Sequence, residues 1–260
     1  MHKPTDTGMN RTGIATSPID SRRTIEGAEQ AQTDSVVDGE ALAAERLLWA
    51  SSAPPIGTMP PPATLKGVIK TAVEKLEGHK PTVFLDKLGE RLAFERTGTR
   101  LYEAVMVKLE AADPHPSGPS RADLAEIHAA ERRHFTVVRD AILQLGADPT
   151  AMTPCADLIS VAGFGWVQAV SDPRTTLNQC LDVLMIAELA DTEGWQLLVE
   201  LADQLGFDDL GRRFRAAMVE EERHVQRVRS WISASLIGEA ATGSSHKRDD
   251  DVDPAMQPRH

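Results

Sequence analysis

Residues 131–134 read Glu-Arg-Arg-His, and residues 221–224 read Glu-Glu-Arg-His. Both copies of this Glu-x-x-His pattern lie in segments whose apolar residues recur at helical spacing. Positions i and i+3 of an α-helix share one face about one turn apart, so the carboxylate and imidazole of each copy can converge on one metal ion. A single copy is a weak signal, because any solvated helix face tolerates Glu and His. Whether the two Glu-x-x-His copies form one metal site therefore depends on the residues in the rest of the chain.

The composition is that of an ordinary soluble protein, with 41% apolar and 26% charged residues among 260. The net charge of −11 argues against a nucleic-acid partner, which would favour a basic surface. The first twenty residues lack the apolar segment of a signal peptide, and no run approaches 18 apolar residues, so we expect a cytoplasmic protein with no membrane span. Cys155 and Cys180 have no CxxC spacing and predict neither a disulfide framework nor a rubredoxin-type iron site.

Periodicity divides the chain into a main domain and two arms. Residues 1–62 are rich in Thr, Ser, Pro, Gly and charge, which predicts a disordered arm. Within this arm, residues 40–49 can form a short amphipathic helix, which either docks on the main domain or binds a partner. Residues 63–237 form the predicted main domain, and the polar residues 238–260 a disordered tail.

The main domain has helical periodicity throughout and no strand-period segment of any length, so the predicted fold is all-α. A short helix is predicted at 64–77, and four long helices at 83–112, 120–145, 175–205 and 208–236. Ser120, with Asp123 three residues on, is the predicted N-cap of the second long helix. Residues 146–174 are predicted as a long connection with a short apolar piece at 158–170 and two possible stops, Gly163 and Pro173.

A lone glutamate precedes each Glu-x-x-His at a similar distance. Glu95 lies 36 residues before Glu131, and Glu188 lies 33 residues before Glu221. An aromatic residue follows each lone glutamate by seven positions, two turns along the same face: Tyr102 in the first half and Trp195 in the second. The two halves therefore form a pseudo-repeat, which places four carboxylates and two imidazoles at the centre if the halves pack face to face.

This arrangement resembles the ferritin-like di-iron carboxylate superfamily, in which two helices each give one Glu and two others each give Glu-x-x-His. The resemblance covers about residues 83–236 and implies a ferritin-like antiparallel four-helix bundle, with a long crossover between helices two and three. It implies six metal ligands, which are Glu95, Glu131, His134, Glu188, Glu221 and His224. Tyr102 matches the tyrosine seven residues after the first ligand in ferritin-type helices, where it is either a redox or hydrogen-bonding residue near the site or a plain bundle tyrosine.

The cofactor expected on this reading is two iron ions, with manganese as the alternative, because mixed oxygen and nitrogen ligation suits both metals. The resemblance implies a non-haem oxidoreductase that uses O2 or hydrogen peroxide to oxidise iron(II) or to detoxify peroxide. A peroxidase of this kind needs an external electron donor, since no rubredoxin-type module is present. An iron-storage or encapsulated ferritin-like protein, an organic-substrate hydroxylase, a manganese catalase and a helical scaffold remain open, and we expect a homo-oligomer.

The sequence also suggests roles for four residues close to the two motifs. Asp191, one turn beyond Glu188, is the expected acceptor for a histidine N–H. Glu220 and Glu222 are expected to be surface residues. His128 is expected to be a partly exposed histidine, with a role as a further ligand as the alternative.

Overall fold

The structure is a computed structural model, and it describes residues 22–23, 26–27, 29–30, 39–54, 56–59, 81–112 and 117–245. All regular elements in these ranges are helices, so the all-α prediction is confirmed for the described residues. There are six, numbered in chain order: α1 (Gly39–Ser52), α2 (Pro81–Ala111), α3 (Arg121–Gln144), α4 (Pro154–Ser171), α5 (Leu177–Gln204) and α6 (Asp208–Ser245). The helix predicted at 64–77 lies outside the described residues.

The chain divides into two compact units, residues 1–54 and 55–260. The first unit contains α1, which spans the predicted helix at 40–49 and buries none of its residues. The second unit contains α2 to α6. Its last helix continues to Ser245, beyond the predicted end at residue 236.

Local capping chemistry sets the ends of the long helices. The Ser120 side chain accepts from the Asp123 N–H at 3.1 Å, and the Asp123 carboxylate accepts from the Ser120 N–H at 3.0 Å. This capping box satisfies two backbone donors at the start of α3 and confirms Ser120 as the N-cap. At the ends of α3 and α5, Gly146 and Gly206 have positive φ angles of 79° and 71°, which glycine adopts without a Cβ penalty.

The connection at 146–174 contains a full helix rather than a short apolar piece. Thr153 caps α4 and Pro154 occupies its first turn, which together form a helix-start signal that the prediction overlooked. Gly163 does not stop the helix. A Cβ at this position would lie 3.3 Å from the Thr97 methyl group, so the glycine lets α4 approach α2 closely.

Four of the helices contact each other in a closed ring. Helix α2 packs against α3 and α5, and α6 packs against the same two helices. Among the described residues, no Cα atom of α2 lies within 8 Å of one in α6, and the same holds for α3 and α5, so these diagonal pairs meet only through side chains. Helix α4 packs outside this ring, against α2 and α5.

Two apolar clusters fill the ring, and buried acidic residues separate them on α3, α5 and α6, while on α2 Glu95 lies between Leu92 of the first cluster and Leu101 of the second. The first cluster contains Leu88, Val138, Trp195 and Phe214, and the second contains Leu101, Ile127, Leu184 and Val228. Helices α2 and α6 run from the first cluster to the second, whereas α3 and α5 run from the second to the first. Each helix thus carries its acidic residues through the layer between the clusters.

Candidate metal centre

All six predicted ligands are buried in this middle layer. The exposed fractions are 0–3% for the four glutamates Glu95, Glu131, Glu188 and Glu221. His134 is 3% exposed and His224 is 6% exposed. Ionised groups are rarely buried to this extent unless they are paired or coordinate metals, so the layer requires either a compensating positive charge or protons on its carboxyl groups.

His224 is surrounded by three of the glutamates. Its Nδ1 atom lies 2.9 Å from Glu221 Oε2, 3.5 Å from Glu188 Oε2 and 3.7 Å from Glu131 Oε1. Each of these four residues offers one ligand atom, and the four atoms lie within 4.8 Å of one another. This separation is short enough for one cation to contact all four.

His134 lies against the other side of the same carboxylates. Its Nδ1 atom is 2.5 Å from Glu221 Oε1 and 4.0 Å from Glu95 Oε2. Glu95, Glu131 and Asp191 form a second group with oxygens within 4.8 Å of one another. Glu131 thus belongs to both groups, and the two oxygens of Glu221 face different histidines.

Many polar atoms of this layer have no hydrogen-bond partner within the described part of the chain. They include both carboxylate oxygens of Glu95, one oxygen each of Glu131, Glu188 and Glu221, and Nδ1 of His134. A buried polar atom without a partner costs about 1–3 kcal/mol, and more when charged. The carboxylate oxygens among these atoms are acceptors that converge on common points, and such a set of ligand atoms fits a divalent cation.

Without such a cation, the cluster retains protons on its carboxyl groups. Burial, followed by repulsion from neighbouring carboxylates such as Asp191, raises the pKa of Glu131 and of Glu221 well above the usual range. Burial also raises the pKa of Glu95 well above its usual range and that of Asp191 to about 7. Burial lowers the pKa of His134 to about 4, so its imidazole is neutral at pH 7, as a metal ligand must be.

Tyr102 contacts the cluster directly. Its hydroxyl donates a hydrogen bond to Glu188 Oε1, and the side chain is 1% exposed. Burial, followed by the nearby charge of Glu188, raises the pKa of Tyr102 well above its usual value, so the phenol stays protonated and remains a donor. The hydrogen-bonding alternative agrees with this contact, whereas a redox role stays a prediction.

Arg91 is a buried cation beside the cluster that the sequence reading missed. It is 4% exposed, and its Nε atom lies 3.1 Å from Glu95 Oε1, one turn further along α2. Its guanidinium lies 4.0 Å from the centroid of the Phe94 ring. The sequence could have indicated Arg91, because an arginine four residues before an inward-facing glutamate lies on the same face of the helix.

Asp191 pairs with this arginine rather than with a histidine. Arg91 Nη1 lies 3.1 Å from Asp191 Oδ1 and donates to the Asp191 carbonyl at 3.0 Å. No histidine hydrogen-bonds Asp191 among the residues that the structure describes. The prediction of a histidine acceptor at Asp191 is therefore wrong, because the side chain faces α2, from which Arg91 reaches it.

Glu220 has the role that was expected of Asp191. Its Oε2 atom lies 3.2 Å from His134 Nε2 and 3.0 Å from an Arg133 nitrogen. The Glu220 side chain is 37% exposed, as expected of a surface residue, but it also contacts His134, and Glu222 is exposed as predicted. Glu220 lies on the side of α6 next to α3, so only the packing of these two helices brings it to the outer nitrogen of His134.

Two glycines make room for the polar layer. A Cβ at Gly98 would collide with Glu131 Oε2, and a Cβ at Gly194 would collide with the guanidinium of Arg91. The carboxylate and the guanidinium therefore occupy space that any other residue would fill.

The remaining predicted neighbours lie outside the cluster. His128 has an 18% exposed side chain and pairs with Glu103 at 3.2 Å, which agrees with a partly exposed histidine. Trp195 is fully buried, with its ring centroid 5.5 Å from that of His134. Its ring centroid also lies 5.6 Å from that of Phe214, so it packs between His134 and the first apolar cluster.

A scan against protein-family models and searches of curated proteins and of solved structures found no match. No helix within the described ranges is long and apolar enough to cross a membrane. What the structure shows is an all-helical protein with a buried cluster of acidic residues and histidines that could bind metal.

Proposed function

We propose that the buried cluster holds two divalent metal ions and that the protein is a ferritin-like di-iron oxidoreductase, with manganese as the alternative metal. The observation that carries this proposal is the set of buried carboxylate and imidazole atoms without hydrogen-bond partners in the described structure. Five of the six proposed ligands, from all four helices, supply these atoms, and the sixth, His224, contacts Glu221 at 2.9 Å. Together the six side chains match the ligand pattern of the superfamily that the sequence resembles.

The order in which each helix passes the two apolar clusters supports a ferritin-like four-helix bundle. Helices α2 and α3 pass the two apolar clusters in opposite order, and so do α5 and α6. Helices α3 and α5 pass them in the same order, so the chain between them must return along the length of the ring. Helix α4 lies in this return segment, which is the long crossover of the proposed bundle.

In this proposal each Glu-x-x-His pair and one lone glutamate hold one ion. Glu95, Glu131 and His134 serve the first ion, and Glu188, Glu221 and His224 serve the second. Glu131 and Glu221 would be shared between the two ions, because each faces both halves of the cluster. Four carboxylates balance two divalent charges, and Arg91 balances the additional carboxylate of Asp191.

Bound iron(II) would supply the electrons that reduce O2 or peroxide, one from each ion. The chain's own residues position the ligands and exclude water. Tyr102 holds Glu188 and Glu220 holds His134, while the two apolar clusters close the layer from above and below. An external donor would restore the electrons in a peroxidase cycle, and the ferroxidase alternative takes them from further iron(II).

The test is metal analysis after anaerobic loading with iron(II), followed by optical spectra on addition of O2 or peroxide. The matched pair of variants is Glu221→Ala, in the cluster, and Glu222→Ala, exposed on the same helix. About two irons per chain in the wild type and in Glu222→Ala, and loss of iron in Glu221→Ala, are expected. Equal iron content in both variants would contradict the assigned site.

The same experiment separates the alternatives. Hundreds of irons per assembly would indicate storage rather than turnover. Manganese alone in the purified protein would favour a catalase, and the absence of any bound metal would favour a scaffold. Homo-oligomerisation stays a prediction, which size measurement in solution tests.

A further inference from the structure

A groove lined by five arginines runs along the outer faces of α2 and α3, away from the buried cluster. It encloses about 890 Å³. The arginines are Arg96 and Arg100 from α2 and Arg132, Arg133 and Arg139 from α3. None of the six proposed metal ligands lines this groove, although Arg133 of its lining pairs with Glu220.

The charge of the groove is opposite to that of the protein. Five arginines against one glutamate, Glu103, give the lining a formal charge of +4. The whole chain carries −11, so the remaining residues together carry −15. An isolated basic concavity on an acidic protein concentrates positive potential, and it attracts anions selectively.

Three of these arginines have no ionic partner among the described residues. Arg133 pairs with Glu220, and Arg139 pairs with Asp140. Arg96, Arg100 and Arg132 are exposed and make no ion pair within the described ranges, and Glu103 is paired with His128. Three like charges held together at one concave surface repel one another, and a bound anion relieves this repulsion.

The chemistry of the lining indicates phosphate groups. Arginine presents a planar fork of N–H donors that matches phosphate oxygens in a bidentate manner. The hydroxyls of Thr99 and Thr136 donate to the backbone carbonyls of Glu95 and Arg132, so the arginines supply the donors for phosphate. Phe135 and Val137 add apolar surface for a non-phosphate part of a ligand. The volume lies in the range of small-molecule sites of about 300–1,000 Å³.

We propose that this groove binds a compact polyphosphate ligand, such as a nucleoside triphosphate or a short inorganic polyphosphate. The small size follows from the charge balance. A long polyanion such as nucleic acid would extend beyond the groove, and the chain outside the lining carries a net charge of −15. A short one places all its charge on the arginines.

The test is equilibrium dialysis of the full-length chain against radiolabelled inorganic tripolyphosphate, without added divalent metal. The groove variant is R96Q/R100Q/R132Q, which leaves the Arg133–Glu220 pair beside His134 intact. The control variant R174Q/R212Q/R229Q makes the same charge change at exposed arginines outside the groove lining. Thermal unfolding of both variants checks that they fold.

We expect about one tripolyphosphate per chain in the wild type and in the control, with affinity at least about tenfold weaker in the groove variant. Binding should also weaken at high salt, because exposed charges are screened. An equal loss in both variants, or no binding to the wild type, would overturn the proposal.

Competition identifies the part of the ligand that is recognised. ATP should displace tripolyphosphate, and adenosine should not. A single-stranded oligonucleotide of about 20 residues that binds more tightly than tripolyphosphate, and depends on the groove arginines, would overturn the compact ligand in favour of nucleic acid.

Discussion

Arg91 Nη1 lies 3.1 Å from Asp191 Oδ1, and both side chains are buried beside the carboxylates of the candidate metal centre. Gly194 leaves the space that the guanidinium occupies. The pair neutralises the one carboxylate of the layer that the proposed pair of metal ions does not require. It also connects α2 to α5 across the core.

Replacing Arg91 with methionine should destabilise the protein by about 3–5 kcal/mol, because the Asp191 carboxylate would remain buried without its partner. Chemical denaturation of the metal-loaded protein measures this. Arg96→Met, an exposed position on the same helix, should change stability by less than about 0.5 kcal/mol. Adding Asp191→Asn to Arg91→Met should recover part of the loss, and no recovery would argue against the pair as the cause.

Gly98→Ala should reduce metal binding more than it reduces stability. Its Cβ would displace the flexible end of Glu131, a proposed shared ligand, while the helix itself tolerates alanine. Metal content and urea unfolding of the same samples separate the two effects. Gly165→Ala on α4 is the matched control, since its Cβ meets nothing within 4 Å. Full metal content in Gly98→Ala would show that Glu131 is not needed as a ligand.

Tyr102→Phe should leave the fold intact but remove the hydrogen bond that positions Glu188. We expect a loss of about 1–3 kcal/mol in stability without metal, because Glu188 Oε1 becomes a buried oxygen without a donor. We also expect slower oxidation of bound iron(II), and stopped-flow absorbance measures this rate. An unchanged unfolding midpoint together with an unchanged oxidation rate would rule out the positioning role of Tyr102.

Glu220→Gln should weaken metal affinity about 10–100-fold, the usual effect of removing an outer partner of a ligating histidine. The amide removes the charge that orients His134 but keeps the size of the side chain. Competition with a chelator measures the affinity, and Glu222→Gln serves as the control on the same helix. Similar affinities in the two variants would show that the His134–Glu220 contact does not matter for binding.

The metal-free protein should become less stable as pH rises from about 5 to 8. The pKa of Asp191 is about 7 in the folded chain against an ordinary 3.8, and burial raises the pKa values of Glu95, Glu131 and Glu221 as well. The folded chain therefore binds more protons than the unfolded chain in this window, and stability falls by about 1.4 kcal/mol per pH unit for each proton of difference.

His134 opposes this trend only below its ordinary pKa of 6.5, because its pKa is about 4 in the folded chain. Denaturation across this pH range checks the slope in the metal-free protein. Metal loading should remove or reverse the slope, since cations replace the protons on the carboxylates. A flat profile without metal would contradict the burial of these carboxyl groups.

The helix periodicity and the capping residues could be predicted from the sequence. Ser120 with Asp123 predicted the start of α3, and the spacing of Glu95, Glu131, Glu188 and Glu221 predicted that the four glutamates are buried together. These features depend on residues within one or two turns, so local pattern is sufficient. Helix α4 was missed because Gly163 is a breaker in an isolated chain but serves close packing against α2.

The sequence by itself determined the helical class and the six ligand-type residues, because both follow from spacing along single helices. Only the tertiary structure decided their partners. Asp191 faces Arg91 rather than a histidine, Glu220 rather than Asp191 contacts His134, and five arginines converge on one groove. These relationships join residues from different helices, and their distances depend on helix rotation and packing that no local pattern specifies.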